Sequence, residues 1–147
     1  MSVEEAVAGQ AVCFAIKTMV KKEQLKRNNF RKGMILIDKD AQPHPIYDFE
    51  AEVVILNNAT TIKPNYQAVI HCGVIRQAAK VVSMDKEYMR LQDKGTIRFR
   101  FMYRPEFLKE GTTILFREGR TKGLGVITKV FLPDKDIPVN KQAGIKK

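Results

Sequence analysis

Short apolar runs rich in β-branched and aromatic residues recur along the chain, broken by Gly, Pro and Asn. They predict strands at 10–17, 33–37, 49–56, 67–72, 75–84, 95–102, 112–118 and 124–131. The alternation is cleanest in the sixth run. Ile97, Phe99 and Phe101 share one face, and Thr96, Arg98, Arg100 and Met102 share the other. A strand with one face in a core and one in water has this pattern. Phe49, Ala51, Val53 and Ile55 repeat it, with Glu50 and Glu52 opposite. Eight strands at roughly even spacing, without helical runs between them, predict an all-β antiparallel barrel or sandwich.

Other segments carry weaker signals. Only 21–31 has a helical look, with Leu25 as its single apolar anchor amid Lys21, Lys22, Lys26, Arg27 and Arg31. A solvated basic turn and a polyanion contact both fit such a run. The prolines Pro43 and Pro45 mark 39–48 as a linker. The tail from 133 holds two prolines and many charges but little to bury, which predicts disorder. The head, 1–40, offers two strands at most, and two strands neither close a barrel nor stand alone in water.

Charge then narrows the picture. The 147 residues carry 26 Lys+Arg against 16 Asp+Glu, a formal net charge of +10, while 44% are hydrophobic. This is a chain with a core and an affinity for polyanions, not a disordered basic tail. No apolar run approaches the ~20 residues that span a bilayer, so no membrane partner is expected. No secretion signal opens the chain, and its two cysteines, Cys13 and Cys72, read as reduced thiols of a cytoplasmic protein.

Catalytic chemistry is hard to find. There is no G-x-x-x-x-G-K-[ST] phosphate loop. His71-Cys72 is the one His/Cys adjacency, and neighbours on a strand point to opposite faces, which defeats both a metal site and a nucleophile–base pair. No catalytic residue, metal site or cofactor is expected, and the chain is not expected to be an enzyme.

One run changes the reading. Leu115-Phe116-Arg117-Glu118-Gly119-Arg120-Thr121-Lys122-Gly123-Leu124-Gly125-Val126-Ile127 resembles the R-E-G-(G)-R-T-x-G-x-G-x-[IV] signature of elongation-factor-Tu-type translational GTPases, where it ends the C-terminal domain. Other segments agree in order. Ala8-Gly9-Gln10-Ala11-Val12 and Arg31-Lys32-Gly33-Met34-Ile35-Leu36 resemble the last strands of that family's second domain. The run from Phe49 to Leu56 resembles the first strand of the third domain, Ile62 to Gln67 its G-Y-x-P segment, and Tyr103-Arg104-Pro105 its basic residue before proline. Ser83-Met84-Asp85-Lys86 and the run from His71 to Gln77 are most similar to the eukaryotic GTP-binding protein 1/2 subfamily.

The resemblance implies three parts: the end of a second-domain β-barrel at 1–40, a six-stranded antiparallel third-domain barrel at 41–132, and a disordered basic tail at 133–147. It implies that the GTPase domain lies outside this sequence, and with it the GTP and Mg of the full-length family. In that family the third domain grips the T-stem of aminoacyl-tRNA through phosphates and 2′-hydroxyls. Carried over residue by residue, the RNA-binding positions are Arg104 (phosphate), Glu118 (2′-hydroxyl) and Gly119 (close backbone approach), with Arg120 and Lys122 beside them. Two positions that are polar in the family are Val69 and Ala78 here, which implies an altered grip. Gln10, Ala11 and Val12 match one wall of the aminoacyl pocket. The implied partners are tRNA or other structured RNA and the ribosome. The alternative is a structural module that docks on the parent's GTPase domain and on protein partners such as RNA-decay factors.

The residues alone leave blander readings open. Glu118 suits an ion pair with Arg117 or Arg120, and Gly119, Gly123 and Gly125 suit a tight turn and a strand bend. Arg98 and Arg100 suit a solvated strand face.

Overall fold

The computed structural model describes residues 4–18, 25–41, 43–57 and 61–132. By its contacts the chain divides into two units, Met1–Lys32 and Gly33–Lys147. The second contains six strands: β1 (Asp48–Asn57), β2 (Gln67–Cys72), β3 (Ile75–Met84), β4 (Lys94–Phe101), β5 (Thr113–Glu118) and β6 (Thr121–Phe131). They form a closed barrel in the order β1-β4-β3-β2-β5-β6, with every neighbouring pair antiparallel. Closure satisfies each strand on both edges, so no strand of the barrel is left as an open edge.

Alternation decides what lies inside. Phe49, Ala51, Val53 and Ile55 of β1 are buried, as are Ile97, Phe99 and Phe101 of β4. Four rings meet at the centre: Phe49 lies 5.4 Å from Phe99 and 5.2 Å from Phe101, and Phe99 lies 5.7 Å from Phe116. These are ordinary centroid separations for packed aromatics. The inner face of β6 carries almost no side chain beside this cluster. A Cβ on Gly123 would fall inside the Phe116 ring, and one on Gly125 would come within 2.6 Å of Val53 Cγ1. These two glycines are therefore held by packing, the plainer of the two readings of the G-x-G run. Gly119 is different: it takes φ 54° in the two-residue turn between Glu118 and Thr121.

The six barrel strands fall within two residues of the sequence expectation at every end but one, where β6 starts three residues early at Thr121. The head departs from it. The segments 10–17 and 33–37 carry no strand. Their β-branched composition is suitable, but a lone strand without a paired neighbour leaves its backbone donors and acceptors to water. Of the expected helix at 21–31, the described part holds a single 3-10 turn, Arg27–Asn29. The linker expected at 39–48 begins with another, Lys39–Ala41, and is tied at Ile46 by a bridge to Glu106. The tail from 133 lies outside the described residues. Both described cysteines are free, Cys13 exposed and Cys72 buried. Among the described residues no helix is long and apolar enough to cross a membrane.

Candidate functional site

The outer surface of β6, β5, β2 and β3 carries one continuous row of side chains. Lys122 lies opposite Arg117, Arg117 opposite Val69, and Val69 opposite Ala78. The next row sets Leu115 opposite His71 and His71 opposite Arg76. Since Val69 and Ala78 are small, the sheet is recessed there, and an open groove of about 910 Å³ forms. Tyr66, Gln67, His71, Arg76, Arg117, Glu118 and Gly119 line it.

The electrostatics of the groove are one-sided. Arg117 and Lys122 face each other directly across β5 and β6, and like charges in that position repel. Among the described residues neither has an ion pair or hydrogen bond to a carboxylate, and the same holds for Arg76. Glu118 is the groove's one acid, and Tyr66 holds it: the phenol donates to Oε2 at 3.0 Å. Burial, together with the Glu118 carboxylate, pushes the Tyr66 phenol above its ordinary pKa despite an opposing bond with Thr121, so it remains a donor at neutral pH. The alternative reading of Glu118, an ion pair with Arg117 or Arg120, finds no such pair among the described residues.

Arg104 is positioned by a residue that composition does not flag. Gln77, on the inner face of β3, is only 4% exposed. Its Oε1 accepts from the N–H groups of Tyr103 (3.1 Å) and Arg104 (2.8 Å). Its Nε2 donates to the Arg104 carbonyl (3.1 Å) and to Glu106 Oε1 (2.8 Å). All four bonding capacities of the amide are used. Glu106, buried, sits 3.4 Å from Arg104 Nε. The loop after β4 is thereby clamped beside Ala78, whose carbonyl also accepts from Met102 N–H. The loop carrying Arg104 is thus held against β3, while Glu118, Gly119, Arg120 and Lys122 share the β5–β6 hairpin; of these five, Glu118 and Gly119 are among the described residues that line the groove.

Other candidates fall elsewhere. Gln10 closes an exposed turn with Val7, and Ala11 and Val12 follow it in the first unit with exposed side chains. Arg98 and Arg100 are not merely solvated. Arg98 Nη2 donates to Asp48 Oδ2 at 2.7 Å, while Arg100 reaches both carboxylate oxygens, at 2.5 and 2.7 Å. Burial pushes the Asp48 carboxyl up, but the bonds and charges of Arg100 and Arg98 outweigh it and hold its pKa below the usual value. Arg98 also lies 4.1 Å over the Phe131 ring. The sequence has no phosphate loop, and among the described residues no three His, Cys, Asp or Glu converge.

Sequence inspection missed Gln77, Arg76, Arg117 and Tyr66 as parts of this site. Gln77 was detectable in principle, since it falls in phase with the buried Ile75, Ala79 and Val81. The groove residues needed the strand order, which local sequence does not reveal.

No protein-family model matches the chain. Individual relatives do. GTP-binding protein 1 of Xenopus laevis is 40% identical over 142 residues, which is 97% of this chain and 21% of that protein. GTP-binding protein 2 of Homo sapiens is 40% identical over 124 residues, 84% of this chain and 20% of its own length. Elongation factor 1-alpha of Archaeoglobus fulgidus is 28% identical over 136 residues, 92% of this chain and 28% of the factor. The chain thus spans about a fifth of the length of the GTP-binding proteins it matches. With these relatives and a closed six-stranded antiparallel barrel, the chain belongs to the elongation-factor-Tu-type GTP-binding proteins and corresponds to a C-terminal portion of that family.

Proposed function

We propose that this chain contributes the RNA-facing barrel of a cytoplasmic, GTP-binding, elongation-factor-like protein acting in translation or RNA quality control. Its partners are tRNA or another structured RNA and the ribosome. Binding and hydrolysis of GTP with Mg belong to the rest of the full-length protein, not to this chain.

The observation that carries this reading is the opposed pair Arg117 and Lys122 at the rim of the groove. Two unpaired cations side by side destabilise a barrel that gains nothing else from them. A phosphate backbone removes that repulsion and adds charge-assisted hydrogen bonds. Arg76 adds a third cation to the groove, Arg120 follows Gly119 in the adjoining turn, and Glu118, with one oxygen held by Tyr66, suits a ribose hydroxyl.

The test separates folding from binding. Arg117→Ala in the full chain should weaken tRNA binding and reduce its salt dependence, by about 0.7–0.9 in the slope of log K against log[salt] per lost contact. The same variant should melt no lower than the parent, because a repulsion has been removed. Undiminished RNA binding by Arg117→Ala and Lys122→Ala together would refute the reading.

A second reading has its own observation. Val54, Leu124 and Leu115 form a cross-strand apolar row on the outer face of β1, β6 and β5, with Val126 43% exposed beside it. This face favours a module that docks on the parent's GTPase domain and on protein partners such as RNA-decay factors. In that case Leu124→Asp would impair the full-length protein while groove variants would not.

A further inference from the structure

We infer that the polyanion surface does not end at the groove but continues along β3 onto β4, where Lys80 and Arg100 form a second contact for the same RNA backbone. The inference rests on the RNA reading above and adds to it a contact that no motif of the chain marks.

Register places the two residues. Lys80 lies directly opposite Arg100, and their neighbours Ala79, Phe99 and Phe101 are buried, so both cations belong to the outer face. This is the second direct pairing of like charges on the barrel, after Arg117 and Lys122. Lys80 has no ion pair or hydrogen bond among the described residues. Arg100 is bound to Asp48 through Nε and Nη2, which leaves Nη1 unused, and its side chain is 53% exposed. Asp48 thus orients the guanidinium without covering it, which lowers the ordering cost of a further contact.

Nearby acids do not cancel the charge. Asp48 is shared between Arg98 and Arg100, and Glu50 faces both Arg98 and Lys129. Lys80, Arg98, Arg100 and Lys129 therefore outnumber the acids, and phosphates are the complementary ligand. The patch is also continuous with the groove. Arg76, Ala78 and Lys80 are successive outward positions of β3, about 7 Å apart along the strand. Lys80 is paired on its other side with Gln67, which lines the groove.

The experiment measures binding of bulk tRNA by the full chain over a salt series, comparing Lys80→Ala, Lys80→Arg and Arg117→Ala. Lys80→Ala is expected to weaken binding and lower the salt slope by about 0.7–0.9, with Lys80→Arg close to the parent. Melting temperature should not fall for either. If Lys80→Ala keeps the parent's affinity and slope while Arg117→Ala loses both, the extension is refuted and the groove reading stands. If the parent binds no RNA at any salt concentration, both are refuted. If polyglutamate binds as tightly and with the same slope, an acidic protein replaces RNA as the partner and the inference is overturned.

Discussion

Replacing Gln77 by glutamate should convert a satisfied clamp into a buried carboxylate pair. The side chains have nearly the same shape, so packing is preserved. Glutamate still accepts from the N–H groups of Tyr103 and Arg104, but it donates nothing to the Arg104 carbonyl or to Glu106 Oε1, which lies 2.8 Å from the present Nε2. Positions 77 and 106 are 4% and 8% exposed. Two carboxylates that close, with so little water, do not both remain ionised. Losing two donated bonds and forcing one group to hold a proton should cost about 3–5 kcal/mol at neutral pH. The direction with pH follows from linkage. One carboxyl of the pair has a folded-state pKa raised above its unfolded value of about 4.3. The penalty is therefore full above the raised value, shrinks as pH falls through it, and is smallest near about pH 4.3, where the unfolded chain also takes up protons. Gln77→Met removes the same bonds without adding charge, so its penalty should vary much less. Urea unfolding of the parent and both variants at about pH 5 and about pH 8 separates the two cases. A Gln77→Glu deficit that is equal at both pH values, or no larger than that of Gln77→Met at the higher one, would refute the clamp.

Three other variants probe separate parts of the barrel. Gly123→Ala should destabilise by about 1–3 kcal/mol through collision with Phe116, and Phe116→Leu in the same chain should recover part of the loss in thermal melts. Asp48→Asn should cost about 1–3 kcal/mol at neutral pH; because the folded pKa of Asp48 is lowered, its contribution is present above the unfolded value of about 3.9 and lost as pH falls through the folded one, so the two proteins should converge in acid. Tyr66→Phe should cost about 0.5–1.5 kcal/mol by removing the hydrogen bond to Glu118, which a thermal melt would report; an unchanged melting temperature would count against the contact.

The barrel was legible because its strands obey a period of two over six to eleven residues, and the inward set is almost wholly apolar. Phe99 and Phe101 announce their face without help from any neighbour. The segments 10–17 and 33–37 show the limit of that signal: suitable composition does not make a strand where no partner pairs with it. The R-E-G-R-T-K run keeps four candidate residues on one hairpin, since Glu118 to Lys122 spans a local turn. Arg104 is fixed beside β3 through Gln77, a contact spanning 27 positions, and Arg76 and Arg117 share a groove only because β2 lies between β3 and β5. Such relations are properties of topology, which no local window contains. The latch on Asp48 was hidden in the same way, because an arginine facing water and an arginine bound to a buried carboxylate look identical along a strand.

Strand β1 lies between β4 and β6, so its two ladders are built with segments synthesised long after it. When β1 leaves the ribosome, neither partner exists. Pairing with β4 must wait for Lys94–Phe101, and the last seam must wait for Thr121–Phe131. Until then Phe49 and Ile55 have no cover, and the nascent chain exposes them to whatever hydrophobic surface or chaperone is nearby. The hairpin that carries Glu118, Gly119 and Lys122 is thus also the clasp that ends this exposure. A chain halted before residue 121 would lack Lys122 and, without β6, a closed core.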